Sequence, residues 1–271
     1  MTSDPFDFAA NVERFTGFAD LYHEQRPHPP ALVVDLLARW ASLGKPRLIV
    51  DLGCGTGLST RVWAAKAERV IGVDPSPDML AQAQAQSTAA NIEYRHGHSH
   101  QTGLPGQCAD LILCSQSLHW MDPPGTFAEA ARVLRPGGVF ASIDADWPPT
   151  TSSWEADAAY VEFADNVKKL EKMHGVSAGL IKWDKETHLS RMRQSGCFRF
   201  AEEILIHHVE PGNAARLVGL AASQGSVAGL LKKGLSRVEV GLDALEAAAQ
   251  RALGDTPKDW HFSYRVRAGV V

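Results

Sequence analysis

Asp51-Leu-Gly-Cys-Gly-Thr-Gly57 places a carboxylate two residues ahead of three glycines at alternate positions, Gly53, Gly55 and Gly57. An apolar run, Leu48 to Val50, precedes it, and a helical pattern begins at Leu58. Strand, tight loop and helix in that order leave unpaired N–H groups and a partial positive charge at the helix start. Glycine suits a loop whose backbone takes positive φ or lies flat against a ligand. A nucleotide-like ligand is therefore expected here. No Gly-Lys-Ser/Thr follows, which argues against a triphosphate loop, and the glycine spacing is not the Gly-x-Gly-x-x-Gly of dinucleotide sites. A ligand with no phosphate but with an amine and a carboxylate fits better, and S-adenosylmethionine has that chemistry. Arg69-Val-Ile-Gly-Val-Asp74 reads as a second strand, again ending in an acid. A carboxylate at that point can accept both ribose hydroxyls.

Other residue types invite weaker readings. His96, His98 and His100 alternate, so on a strand their imidazoles would share one face. No cysteine or carboxylate cluster accompanies them, and no metal is expected. His119-Trp120 follows a fourth apolar strand, Cys108 to Cys114. His119 is either a general base or a residue that fixes Trp120. Asp144, Asp146 and Trp147 close the strand around Val139-Ile143, where a carboxylate either reaches substrate or caps a loop. The aromatic residues Trp154, Trp183 and Trp260 suit either a substrate pocket or a protein interface.

The elements that must position these groups can be outlined. Residues 1–30 show Phe8, Val12, Phe15 and Phe18 at helical spacing, broken by Pro27, Pro29 and Pro30. Ala31 to Leu43 is an amphipathic helix ended by Gly44. From Leu48 to about Asp146 strands and helices alternate, which predicts a parallel sheet. Trp147-Pro-Pro-Thr-Thr-Ser-Ser is a linker. Helices are expected at Trp154–Gly175, Asp184–Gly196, Ala214–Lys233 and Gly241–Leu253. Strands are expected at Glu202–Glu210 and in the alternating Trp260-His-Phe-Ser-Tyr-Arg-Val-Arg. The division is a lead-in and cofactor-binding core over 1–146, a helical cap over 147–199, and last core strands over 200–271 carrying inserted cap helices 213–255.

At this point the chain resembles the class I S-adenosylmethionine-dependent methyltransferases, most of all the small-molecule branch of the trans-aconitate and quinone-ring enzymes. The resemblance rests on Asp51–Gly57, Gly72-Val-Asp-Pro-Ser-Pro-Asp-Met-Leu80, Thr102-Gly-Leu-Pro105, Leu118-His-Trp120, Leu134-Arg-Pro-Gly-Gly138 and the lead-in Tyr22-His-Glu-Gln-Arg-Pro27. It covers residues 15–146 well and the rest in outline. It implies a Rossmann-like α/β fold: a seven-stranded, mostly parallel sheet with helices on both faces and a helical cap. It implies S-adenosylmethionine as cofactor and S-adenosylhomocysteine as product. The cofactor site would comprise Asp51, Gly53, Gly55, Thr56, Gly57, Asp74, Pro75, Met79, His98, Ser99 and Ser115. Tyr22 and Arg26 would close over the methionine tail, Arg26 pairing its carboxylate. The family often has an acid where this chain has Gly97-His98-Ser99-His100, so the adenine contact differs. His119 and Asp146 are the catalytic candidates, and Trp120 and Trp147 the substrate candidates.

Composition narrows the partners. A net charge of -4 and a pI of about 6.3 give no basic footprint for nucleic acid. No apolar run approaches a membrane span, and Met-Thr-Ser-Asp-Pro-Phe is not a signal peptide. Cys54, Cys108, Cys114 and Cys197 show no metal or disulfide spacing. The expectation is a cytoplasmic monomer or homodimer acting on a small-molecule methyl acceptor through an O-, N- or C-nucleophile, possibly a carboxylate. A non-catalytic adenosylmethionine-binding module and a nicotinamide-dependent oxidoreductase are the competing readings.

Overall fold

The computed structural model describes residues 10–11, 25–41 and 44–271. In chain order the elements are α1 (Ala31–Ala41), β1 (Leu48–Leu52), α2 (Leu58–Val62), β2 (Arg69–Asp74), α3 (Pro77–Ala85) and β3 (Ile92–His96). They continue with β4 (Ala109–Ser115), α4 (Pro123–Val133), β5 (Leu134–Ala145), α5 (Trp154–Met173), α6 (His188–Gln194) and β6 (Phe200–Gly212). The last are α7 (Ala214–Ala222), α8 (Gly225–Lys232), α9 (Arg237–Val240), α10 (Leu242–Ala252) and β7 (Lys258–Val270). The helical lead-in expected over residues 1–30, and Tyr22 with it, lies largely outside the described residues.

Seven strands form one sheet in the order β3-β2-β1-β4-β5-β7-β6. Strands β1 to β5 are parallel, and β7 runs antiparallel between β5 and β6. This is the Rossmann-like fold expected. The reversal of strand order between β1 and β4 opens a crevice at the strands' carboxyl ends, which is where such sheets bind ligands. Strands buried on both faces must be apolar throughout. Ala-Asp-Leu-Ile-Leu-Cys of β4 is accordingly buried at every position. On one face α1 buries Val33, Val34, Leu37 and Ala41. On the other, Phe127, Phe140 and Phe198 pack as a triad with centroids 5.5–5.7 Å apart.

Leu134-Arg-Pro-Gly-Gly138 leads from α4 into β5 with an irregular register. Helix α4 stops at Val133, and Leu134 already pairs with Ala109 before the register shifts to Leu111 with Val139. Gly137 sits at φ 80 and absorbs that irregularity.

Two expectations about the cap change. The single helix expected over Ala214–Lys233 is two helices bent by 68°. The Ser223 hydroxyl donates to Leu220 O at 2.9 Å, so a side chain takes a carbonyl at the break. The bend turns Gln224 and Gly225 toward the crevice. Helix α6, grouped by sequence with the cap, packs instead on β6 and β7. Its Met192 joins the apolar cluster of Phe127 and Phe140, with Leu189 packed against it. The cap proper is α5, α7, α8 and α10, which pack on one another. Among the described residues no single helix is long and apolar enough to cross a membrane.

Candidate functional site

The glycine loop is held by the strand beside it. Gly53 N and Cys54 N both donate to Val73 O, at 2.7 and 3.2 Å. This folds the chain over the end of β2 and forces positive φ at Gly53, Gly55 and Gly57. The glycines serve different needs. A Cβ at Gly53 would stand 2.6 Å from Met121 Cε, and one at Gly57 2.3 Å from the Tyr94 hydroxyl. A Cβ at Gly55 would meet nothing within 4 Å, so the room it leaves belongs to the cavity that Gly55 lines. Two of the three glycines thus answer to the protein's own packing, and the middle one to space for a ligand.

Asp74 closes the other side of this cradle. Its Oδ2 accepts from Gly55 N at 2.9 Å and its Oδ1 from Ser76 N at 2.8 Å. Each oxygen keeps a further lone pair, so Asp74 can accept a diol while bracing the loop. Burial holds its pKa above the ordinary carboxylate value, opposed by those two amides. Ser76 caps α3, which carries Met79 into the cavity wall.

Asp51 is fully buried and does not line the cavity. Its Oδ2 accepts from the Thr60 hydroxyl at 2.7 Å. Its Oδ1 has no hydrogen-bond partner among the described residues. Desolvation raises its pKa to about 7, against the Thr60 hydrogen bond. An orphaned buried carboxyl oxygen under a glycine loop suits a ligand that brings a cationic nitrogen nearby, directly or through water.

The cavity has a volume of about 670 Å³. Beside the glycine loop it is walled by Gly53, Gly55, Thr56, Asp74, Pro75, Met79, His98, Ser99 and Ser115. Its far end is walled by Arg26, Gln116, His119, Trp120, Trp147, Tyr160, Lys182, Lys185, Gln224 and Tyr264. Buried Asn11 fastens this end: its amide donates to Trp120 O at 3.1 Å and Ile181 O at 2.7 Å, and accepts from Ile181 N at 3.0 Å. The Arg26 guanidinium lies 5.0 Å from the centre of the Trp147 ring and donates to Ser223 O at 3.1 Å. Lys182 lies 5.2 Å over Trp120.

A chain of buried charge reaches the far end from the sheet. Arg267, buried on β7, meets Glu203 at 2.8 Å and Asp144 at 3.2 Å. Asp144 also accepts from the Ser142 hydroxyl at 2.8 Å and lies 3.0 Å from Lys185 Nζ. His119 Nδ1 stands 4.0 Å from Asp144 Oδ1. Burial, with Lys185 and Lys182 adding to it, pushes the His119 pKa well below the usual imidazole value, so the ring is neutral at pH 7.

The structure therefore gathers most of the residues singled out by sequence, with exceptions. Gly57 is the positive-φ cap of α2 and does not reach the cavity. Asp146 is drawn away from it: Arg265 Nε holds both its oxygens, at 2.9 and 3.2 Å, and the side chain is 41% exposed. Asp146 lies just past the end of β5, where Arg265 claims it, and only Asp144, two residues earlier inside the strand, meets Lys185. Trp154 is 76% exposed and Trp260 is fully buried against Gly212. Neither these nor Trp183 line the cavity. His98 and His100 lie in the turn after β3, their rings stacked 5.4 Å apart. No group of three or more His, Cys, Asp or Glu that could hold a metal occurs among the described residues. Sequence reasoning missed Gln116, Lys185, Tyr160 and Gln224. Only Gln116 carried a signal, its place directly after a strand's carboxyl end.

Comparison with known proteins agrees with this geometry. Residues 50–142 match the family described as "Methyltransferase domain". An uncharacterised methyltransferase of Mycobacterium tuberculosis is 35% identical over 119 residues, covering 43% of this chain and 46% of the relative. The match thus spans about half the length of that relative. The malonyl-[acyl-carrier protein] O-methyltransferase of Serratia marcescens is 28% identical over 230 residues, covering 80% of this chain and 79% of the relative. A solved structure from Anaeromyxobacter dehalogenans, provisionally named a type II methyltransferase, is 25% identical with a TM-score of 0.67. That superposition covers 90% of this chain and 97% of the other.

Proposed function

We propose that this chain, whose residues 50–142 match a methyltransferase domain, transfers a methyl group from S-adenosylmethionine to a small molecule. The observation that carries the reading is the cradle: Gly55 with open space beside it, Asp74 with lone pairs to spare, and the orphaned oxygen of Asp51 beneath. Asp74 can accept a diol, Asp51 beneath the loop favours a cationic nitrogen above it through water, and among the described residues the loop itself carries no cation for a phosphate. Bound there, S-adenosylmethionine would supply a methyl carbon already activated by its sulfonium.

The chain's own residues would then do three things. Asp74 would hold the ribose, Met79 would pack along the nucleoside, and the Gly53–Gly57 loop would approach the amino-acid tail. Arg26 lies within reach of the cavity for the tail's carboxylate, as the resemblance implies. The cap and Asn11 would exclude water and align the acceptor, which supplies most of the catalysis such a displacement needs. A volume of about 670 Å³ falls within the roughly 300–1,000 Å³ of small-molecule sites. That favours a small acceptor over a nucleic acid or a folded protein surface.

Calorimetry with S-adenosylhomocysteine and with NAD tests the cofactor. Tight binding of the first and none of the second is expected, and the reverse would sink the reading. Transfer of a labelled methyl group to a metabolite panel tests the activity. Cofactor binding with no transfer to any acceptor would favour a non-catalytic binding module.

A further inference from the structure

We propose that Lys185 receives the negative charge of the acceptor, and that this acceptor is a carboxylate methylated on oxygen. The inference rests on the methyl-transfer reading above and names its substrate class. Lys185 sits in the tight turn Lys185–Thr187, capped by Asp184, which accepts from Glu186 N at 3.0 Å. Lys185 lines the cavity, and its side chain is 28% exposed. It donates to Gln116 Oε1 at 2.8 Å and lies 3.0 Å from Asp144 Oδ1. An ammonium has three N–H bonds, so at least one is left for a ligand.

The groups behind Lys185 hold it in place. Glu203, Arg267, Asp144 and Lys185 alternate in sign, and the series ends at the cavity on the cation. Asp144 shares its charge with Arg267, so it does not fully neutralise Lys185. Gln116 adds a second donor. It is a non-glycine residue at φ 56, a conformation that L side chains rarely adopt. Gln116 N donates to Ile143 O at 2.9 Å, which holds the residue there. Its amide oxygen accepts from Lys185, leaving its NH₂ toward a ligand. An ammonium and an amide donor side by side match the two oxygens of a carboxylate.

A carboxylate also asks the least of the groups that surround Lys185 among the described residues. A phenol, an ammonium or a carbon acid must lose a proton to accept a methyl group. Beside Lys185, His119 is a weak base held neutral by burial, and Asp144 is engaged by Ser142, Arg267 and Lys185. A carboxylate needs no base. One of its oxygen lone pairs forms the new O–CH₃ bond, the methyl–sulfur bond breaks with its electron pair on sulfur, and no proton moves.

The experiment uses full-length wild-type protein, Lys185→Met and Lys185→Arg with labelled S-adenosylmethionine. The probes are linear C4–C10 mono- and dicarboxylates, their primary amides, and matched phenols and amines. Methyl transfer to at least one carboxylate and not to its amide is expected. Lys185→Met should raise KM for that carboxylate by roughly 10–100-fold, the loss of one charged hydrogen bond, with Lys185→Arg recovering part. S-adenosylhomocysteine affinity should stay unchanged in both variants. Transfer to phenols, amines or amides in preference to carboxylates overturns the proposal, as does an unchanged KM in Lys185→Met. Carboxylate binding by calorimetry, with and without S-adenosylhomocysteine, separates the two readings. Carboxylate binding lost in Lys185→Met supports the Lys185 site even if the nucleoside does not bind, which would overturn only the cofactor reading.

Discussion

The two ends of the cavity are built in different ways. The cofactor end comes from contiguous chain: the loop after β1, the end of β2 and the turn after β3. Its donors and acceptors are largely backbone groups and two strand-end carboxylates. The end proposed for the acceptor is assembled from Asn11, Arg26, Gln116, Tyr160, Lys185, Gln224 and Tyr264, seven positions spread over the whole chain. Its chemistry is side-chain chemistry, fixed by long-range ion pairs such as Arg267 with Asp144. An end made of backbone tolerates almost no local change, because the conformation is the site. An end made of side chains can change its ligand one residue at a time while the sheet stays intact.

The largest expected effect is at the cofactor end. Gly57→Ala puts a Cβ 2.3 Å from the Tyr94 hydroxyl at φ 76. Left-handed strain and overpacking together cost about 2–5 kcal/mol. Chemical denaturation should show this loss. Wild-type stability in Gly57→Ala would break the claim that backbone geometry is what this end consists of.

Next comes the buried charge behind the acceptor end. His188 is fully buried, and neither ring nitrogen has a hydrogen-bond partner among the described residues. Burial lowers its pKa to about 4, with the Asp144 charge opposing. The unfolded chain binds this proton below about pH 6.5 and the folded chain only below about 4. Stability is therefore full above pH 6.5 and falls as pH drops toward 4, by about 3 kcal/mol in total. His188→Leu should flatten the stability curve across that window. An identical acid slope in the variant would show that the ring is already protonated in the folded protein.

Asp74→Ala should weaken S-adenosylhomocysteine binding by roughly 10–100-fold, about 1.5–3 kcal/mol. Because Asp74 also braces Gly55 N and Ser76 N, Asp74→Asn should keep part of the loop order and part of the affinity. Calorimetry on the two variants sharpens the comparison, since equal losses would mean that the ribose contact is everything and the bracing nothing.

The smallest effect belongs to Asp146. Its exposed pair with Arg265 is worth under about 1 kcal/mol. Asp146→Asn should leave turnover within about two-fold of wild type. A large loss of kcat would return Asp146 to the site and dissolve the division drawn between it and Asp144.

How much of this could be read from the sequence follows the same boundary. The strand, the loop of Gly53 and Gly55, and the place of Asp74 at the cavity were legible because they are local: an apolar run, a turn and an acid suffice to specify them, whereas the burial of Asp51 and Gly57 away from the cavity was not. The sheet's parallel half was legible for the same reason, as buried runs alternating with helical stripes. The bend at Ser223, the attachment of α6 to the sheet and the exclusion of Trp154, Trp183 and Trp260 from the cavity were not. Each depends on which surface an amphipathic stretch finds, and periodicity states only that it must find one.

The sequence by itself determined a strand, a tight glycine loop and a second strand-end acid on an α/β sheet, because those features follow from hydrogen-bond geometry within a few residues. Only the tertiary structure decided what faces that loop. Lys185 and Gln116 are far apart in the chain, and nothing local marks either as a partner of the other. The antiparallel insertion of β7 aligns Arg267 with Ser142 across one strand pair and with Glu203 across the other. That register sets the buried charges, and through Asp144 it sets the cation at the acceptor end.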